Sequence, residues 1–396
     1  MIDISYKNGC KQMSKFYFYG WSFLIVLAYP PLIFTDKLSD ALRITCFFLL
    51  TLYLFSKTKI LLRRHVVSIS LLIILIGIQL IQIDFENQVD VRNAGSLFLT
   101  LAFAIALDRA STNNVLSAIL AKFYIYLFTL IPILMIFAIG FYFVFGGANP
   151  FNLNIGAVDS NMFIHTPFGV LLPKFTDSVF LRSTNFFHEP VFLAFFLAIN
   201  TYLPVIGSGF CARNFNKLNF VGGILTLSFL YGIIVITVLW WRAMLQFRPL
   251  RNIIITGFLF ILVLLVLNYQ VLETMSSLSD RLDRMYIYVS LYPMLSSTEL
   301  WLGTGFNVAT GFDKAMSAGV FSLLYKLGIV GLVSIVTLIW MFARKNMSLL
   351  IACLFALFSF EPYLFPLFWL AITSYVVVSR QSSEYAQNSA IVKARA

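Results

Sequence analysis

Leu181–Asn200 reads LRSTNFFHEPVFLAFFLAIN, and the change of character at its midpoint decides the fold. Up to Pro190 the chain is polar and aromatic; beyond it runs an apolar stretch with the look of a membrane helix. Proline suits the first position of a helix, because its missing N–H would have no acceptor there. A transmembrane helix is therefore expected from Pro190, with His188 and Glu189 at its mouth, on the water–lipid boundary. Arg182 stands just upstream, separated from them by the aromatic pair Phe186 and Phe187. An acid, an imidazole and a guanidinium are thus gathered where the head group of a lipid-borne molecule would arrive.

Composition extends this local reading to the whole chain. Of its 396 residues 60% are hydrophobic and only 11% charged, and the mean hydropathy is +0.88. A soluble core cannot absorb so much apolar surface, and stretches of about 20 apolar residues recur. The sequence reads as an all-α, polytopic integral membrane protein. A membrane β-barrel would show short alternating segments instead. The net charge of +11 comes largely from Lys and Arg beside the spans, which marks cytoplasmic loops rather than nucleic-acid binding. Cys10, Cys46, Cys211 and Cys353 have no paired spacing, and none falls in a long polar loop, so no disulfide framework is expected. Three histidines, with no CxxC or HxxxH, give no reason to expect a metal. The first hydrophobic segment reads as a retained anchor rather than a cleaved leader.

Spans are expected at about 16–34, 38–55, 66–83, 94–107 and 115–145, with Lys57, Lys59, Arg63 and Arg64 marking a cytoplasmic turn. This alternation puts the N-terminus in the cytoplasm and the first long polar loop, about 146–189, outside. A sixth span, 190–210, returns to a basic turn with Arg213 and Lys217. Phe220–Trp241 then poses a conflict, because Arg242, Arg248 and Arg251 make its second flank basic as well. A single crossing would invert every later loop. A bend near Thr226–Gly232 into two short helices keeps all basic clusters on one side, and is the preferred reading. Further segments follow at 253–272, 320–342, 348–360 and 363–378, with a second long outer loop at about 273–318. The total is about 12 membrane segments, some short or broken. Residues 1–379 form a single membrane domain, and 380–396 a loosely ordered cytoplasmic tail.

In the second loop, Ser277–Leu295 reads SLSDRLDRMYIYVSLYPML. On a helix, Arg281, Arg284 and Tyr288 share one face. Two guanidiniums there could fork onto the oxygens of a pyrophosphate. The simpler alternative is an Asp280–Arg284 pair at i, i+4 on a solvated surface. Gly303 and Gly305 permit a tight turn whose N–H groups could hold an anion, although most such glycine pairs are only turns. Glu189 is either a base, tuned by burial at the membrane mouth, or a carboxylate complementing a helix N-terminus. His188 is either its helper or an interfacial structural residue. Asp40, Arg43 and Glu361, costly inside a membrane, lie near segment ends where they could snorkel, and Lys122 within the fifth span could do likewise.

Arg182 followed by Phe187-x-Glu189-Pro190 at a helix start resembles the bacterial O-antigen and exopolysaccharide polymerases of the Wzy type. The later order matches too: Ser279–Arg284, an amphipathic stretch, Leu302-Gly303-x-Gly305-Phe306, and then Leu324–Leu332, reading LYKLGIVGL. The resemblance covers about 151–369 and the layout of spans. It implies a GT-C-like glycosyltransferase on the periplasmic face of the inner membrane, multi-pass, with both termini in the cytoplasm. Such an enzyme joins undecaprenyl-pyrophosphate-linked oligosaccharide units, its partners being those substrates, membrane lipid and a chain-length regulator protein, with no nucleic acid. No cofactor or metal is implied. Glu189 and His188 would be catalytic; Arg182, Arg281 and Arg284 would bind pyrophosphate; Tyr288, Gly303 and Gly305 would line the substrate. O-antigen ligases share the fold, but typically carry His-Asn eleven residues before the Gly-x-x-Gly element, where this chain has Ser317-Ala318. The family's Thr-x-Ser-Arg-Gly appears here as Thr226-Leu227-Ser228-Phe229-Leu230, without the arginine. A flippase or other transporter of lipid-linked oligosaccharides, the alternative from another class, would want charges lining its helix centres and no long outer loops.

Overall fold

The computed structural model describes residues 40–56, 63–82, 88–145, 164–173, 181–185, 190–205, 209–246, 287–305 and 319–395. The expected spans at 16–34 and 253–272 lie outside these residues. In chain order come helices α1 (Asp40–Ser56), α2 (Arg63–Gln82), α3 (Gln88–Ala110) and α4 (Asn114–Phe145). Strands β1 (Ile164–Thr166), β2 (Gly169–Pro173) and β3 (Leu181–Asn185) follow. The remaining helices are α5 (Pro190–Thr201), α6 (Phe210–Leu225), α7 (Phe229–Gln246), α8 (Ser297–Leu302), α9 (Gly319–Ala343), α10 (Met347–Ser359) and α11 (Pro366–Arg395). The described chain is mostly helical, and Arg64–Gln82, Val115–Phe145 and Gly319–Ala343 are long and apolar enough to cross a membrane.

Local chemistry sets the helix ends. The Asn113 side chain accepts from the N–H groups of Val115 and Leu116 and so starts α4. Pro190 and Pro366 each open a helix where a missing N–H does no harm. The first half of α11 is apolar on every side, and Leu367–Tyr375 are buried along their whole length, which makes it the central post of the bundle. Phe195, Phe368, Trp369 and Phe342 interlock around it, and the Trp369 indole N–H donates to the Tyr363 carbonyl at 3.1 Å.

The basic-flanked segment bends. α6 ends at Leu225 with Thr226 as its cap, Leu227 takes a left-handed φ of 45°, and α7 begins at Phe229. Both outer ends of this hairpin meet the segment just after α5. Asn216 on α6 donates to the carbonyls of Asn200, Thr201 and Leu203 at 2.9, 3.1 and 2.8 Å. Arg242 on α7 lies over the Tyr202 ring at 4.8 Å. The hairpin therefore leaves on the side where it began. Its inner end is fitted to a defect in α4. Pro132 cannot donate to the Phe128 carbonyl, and the Asn219 amide supplies that bond at 2.9 Å. Asn219 also accepts from Asn200, which accepts from the Tyr124 hydroxyl at 2.7 Å. Among buried apolar side chains such a chain of partners is what makes polar groups tolerable. Gly222 gives Pro132 room, since a Cβ there would sit 3.0 Å from the proline ring.

Three expectations are corrected. The span at 190–210 is shorter: α5 stops at Thr201, because Pro204 cannot extend the helix and Asn216 caps its open carbonyls. The tail after 380 is not loose but continues α11 to Arg395. Its first turn is tied down, Arg380 donating to the Ser111 carbonyl at 2.9 Å and Ser382 to that of Pro204. Finally, the fold is not purely helical. β1, β2 and β3 form an antiparallel sheet in that order, with β1 and β2 joined by a tight turn in which Thr166 donates to the Gly169 carbonyl. The sheet packs on α4, where the Phe168 ring meets Phe137 at 5.5 Å.

Candidate functional site

The first turns of α9 carry Ser322, Tyr325 and Lys326 in an otherwise apolar sequence. Ser322 and Lys326 are four apart and so share a helix face. That face looks at the break between α10 and α11, where Phe360 is extended and Pro362 starts a short 3₁₀ turn. Glu361 sits in this break. Its Oε1 accepts from Lys326 Nζ at 2.7 Å and from the Ser322 hydroxyl. Both charged residues are buried, Lys326 at 3% and Glu361 at 9% exposure. Inside a bundle neither charge is tolerable alone; paired and hydrogen-bonded, they neutralise each other. Glu361 thus does not snorkel, as its position near a segment end suggested, but turns inward onto a cation.

Aromatic side chains close the pair over. The helical turn at 287–291 and the 3₁₀ turn Tyr292–Met294 lie on the start of α9. Tyr292 donates to the Phe321 carbonyl at 2.9 Å, and Tyr288 packs on Tyr325 with ring centroids 5.9 Å apart. The Tyr288 hydroxyl is buried and faces Ser322 and Glu361. Burial pushes its pKa up to about 12, so it stays a protonated donor. Tyr363, from the 3₁₀ turn after Glu361, has a second buried hydroxyl, this one without a partner among the described residues.

Two glycine motifs lock this end. α9 kinks at Gly328, whose φ is 64°, which frees carbonyls of the preceding turn. Thr304 N–H donates to the Tyr325 carbonyl at 2.9 Å and Gly305 N–H to that of Lys326 at 3.0 Å. Gly303, at φ 90°, touches the kink directly: a Cβ on it would lie 2.2 Å from the Lys326 carbonyl oxygen, and one on Gly328 would lie 2.3 Å from that of Trp301. The anion-binding turn expected at Gly303 and Gly305 is therefore corrected. Its N–H groups are committed to backbone acceptors, Gly303 N–H to the Glu299 carbonyl, and the glycines serve close approach. Gln82, at the end of α2, holds the same turn through the Leu302 and Gly303 carbonyls.

Of the residues singled out in the sequence, Tyr288, Gly303 and Gly305 come together around Lys326–Glu361. Arg182 stands on β3, its backbone opposite Leu172. His188, Glu189, Arg281 and Arg284 lie outside the described residues. The helix that follows Glu189 nonetheless arrives here: Phe192, in the first turn of α5, packs edge-on against Phe360 at 4.7 Å and Phe365 at 5.1 Å. These rings bracket Glu361 and its 3₁₀ turn. Lys326 and Ser322 escaped the sequence reading as site residues. The available signal was a lysine inside a run otherwise fit to span a membrane. Among the described residues no cluster of His, Cys, Asp and Glu could hold a metal ion. Compared with models of known protein families and with curated protein sequences, the chain matches none.

Proposed function

We propose that the protein is a membrane glycosyltransferase of the O-antigen polymerase kind, joining undecaprenyl-pyrophosphate-linked oligosaccharide units on the periplasmic face of the inner membrane. One observation carries this reading. Three segments reach one end of the helix bundle: α5 just after His188-Glu189-Pro190, the Tyr288 turn just after Arg281 and Arg284, and the glycine-locked start of α9. In the proposed topology, with about 12 membrane segments and both termini in the cytoplasm, that end faces the periplasm. The basic flanks of the α6–α7 hairpin, which share the other end, support this orientation.

In the proposed reaction an acceptor hydroxyl, on the non-reducing end of the incoming unit, attacks the anomeric carbon of the growing chain. The bond from that carbon to the lipid pyrophosphate breaks, and undecaprenyl pyrophosphate leaves with the electron pair. Glu189, helped by His188, takes the hydroxyl proton. Negative charge grows on the leaving oxygen, so the transition state gains most from cations fixed beforehand: Arg182, Arg281 and Arg284. In this reading Tyr288 lines the substrate's side of the Lys326–Glu361 pair, packed on Tyr325. Lys326–Glu361 holds the floor of the site rigid. Membrane lipid and a chain-length regulator are the further partners in this reading.

The test is polysaccharide length in a strain lacking the gene, complemented by the wild type, Arg284→Ala or Glu189→Gln. Polymerase predicts lipid A–core bearing a single unit, with neither variant restoring the ladder at normal expression. Uncapped core with long lipid-linked polymer accumulating would instead identify a ligase. Units trapped on the cytoplasmic face would identify a transporter.

A further inference from the structure

The end of the bundle away from Lys326–Glu361 is built quite differently. Lys326 and Ala343, the last residue of α9, are 17 residues apart, about 25 Å at the helical rise, and Arg344 follows directly. There the end of α9, the turn at 344–346 that follows it, α11 and the ends of α2 and α3 enclose a cavity of about 420 Å³. Arg64, Arg344, Lys345 and Arg380 line it, against one lining carboxylate, Asp108. That carboxylate is already engaged, by Arg64 at 3.0 Å and His65 at 3.1 Å. Glu384, outside the lining, approaches Arg380 only to 4.0 Å. Cations that merely mark the side of a membrane would spread into water. Here they edge a concavity, and its wall includes the buried Thr373, whose hydroxyl has no hydrogen-bond partner among the described residues.

We propose that this cavity is a binding site for a phosphate group, carried either by an anionic phospholipid or free in solution. The charge excess supplies the attraction, Arg344 can fork onto phosphate oxygens, the Thr373 hydroxyl can donate to one, and Arg380 keeps N–H groups beyond the one it gives to the Ser111 carbonyl. Phe342, Val376 and Val377 give the site an apolar side along which an acyl chain can lie. A second cavity, of about 750 Å³, shares Lys345, Asn346 and Ser379 with it and adds Arg242, leaving room for a bulky head group. Basic pockets between helices at a membrane surface have the right chemistry for such head groups. The site is remote from the proposed sugar chemistry and stands without it.

The experiment uses the full chain in zwitterionic phosphatidylcholine nanodiscs, with phosphatidylglycerol substituted in steps and, in a separate arm, inorganic phosphate added. Thermal stability and lipid retention in native mass spectra are read. The wild type is expected to gain stability and keep phosphatidylglycerol selectively. Arg344→Gln/Lys345→Gln, which alters exposed residues only, should weaken the apparent affinity about tenfold, and Thr373→Val should weaken it less. Arg213→Gln, a basic residue outside the cavity lining, should leave it unchanged. A response to phosphatidylglycerol alone assigns the site to lipid; an equal response to inorganic phosphate assigns it to a soluble ligand. No response to either, or a response that survives Arg344→Gln/Lys345→Gln, overturns the proposal.

Discussion

At one end of the bundle a single ammonium, Lys326, meets a single carboxylate, Glu361, with Ser322 completing the contact and tyrosine rings shutting out water. At the other end Asp108 is shared by Arg64 and His65, a third of the Arg64 side chain is exposed, and further cations face an open cavity. Both are ion pairs by distance. The first is closed and balanced, so its worth lies in neither charge being left alone. The second is open and unbalanced, so it is weak within the protein and strong toward an outside anion. Burial and stoichiometry, rather than the separation of the charges, decide whether an ion pair belongs to the fold or to a ligand.

The largest effect should come from breaking the closed pair. Glu361→Gln strands the Lys326 ammonium and is expected to cost about 3–5 kcal/mol, read as a fall in melting temperature in detergent. Replacing both partners, as Lys326→Met with Glu361→Leu, should recover most of that loss. A double variant as unstable as the single one would show that the pair is not the source. Next comes the glycine lock. Gly328→Ala forces a side chain into a left-handed backbone and against the Trp301 carbonyl, at a cost of about 1–3 kcal/mol. The open pair should matter less: Asp108→Asn is expected to cost about 1 kcal/mol, because solvent reaches Arg64. Equal losses from Asp108→Asn and Glu361→Gln would erase the distinction between the two ends.

The smallest effect is local and depends on pH. At the start of α8 the Glu299 carboxylate accepts from Ser296 N–H at 2.8 Å and from its hydroxyl at 2.7 Å, and these bonds hold its pKa below the ordinary range. A lowered folded pKa means stabilisation that is complete above the unfolded value and lost as pH falls through the folded one. Ser296→Ala should therefore cost about 1 kcal/mol of α8 stability at neutral pH and less in acid. Hydrogen exchange of the amides at 297–302 reads this directly. A penalty that stays constant below the carboxylate range would place the cap's worth elsewhere.

Much of this architecture was legible in the sequence because it follows from rules that act over a few residues. Pro190 opens a helix, and the basic flanks of 220–241 forced a bend that falls at Thr226–Ser228. Gly303 and Gly328 were read as parts of one ordered series of motifs, and they touch. What stayed hidden depends on partners far apart in the chain. Glu361 looked like a membrane-edge residue and Lys326 like one member of a motif, and nothing local says that residues 35 positions apart fold together. The strands, of three to five residues, are too short to show alternation above the loop around them. The helical course after Arg380 depends on carbonyls at Ser111 and Pro204, which no periodicity in 380–395 reveals.

The α6–α7 hairpin has a consequence for how such a chain can change over generations. Because it leaves the bundle on the side where it began, it contributes nothing to the parity of the crossings. Losing it, lengthening it or copying it would not invert anything encoded downstream. A single span inserted at the same place would turn every later loop to the opposite side. The hairpin is thus a unit that heredity can edit without disturbing the orientation of the rest, provided that Asn219 or a substitute still satisfies the carbonyl that Pro132 leaves open.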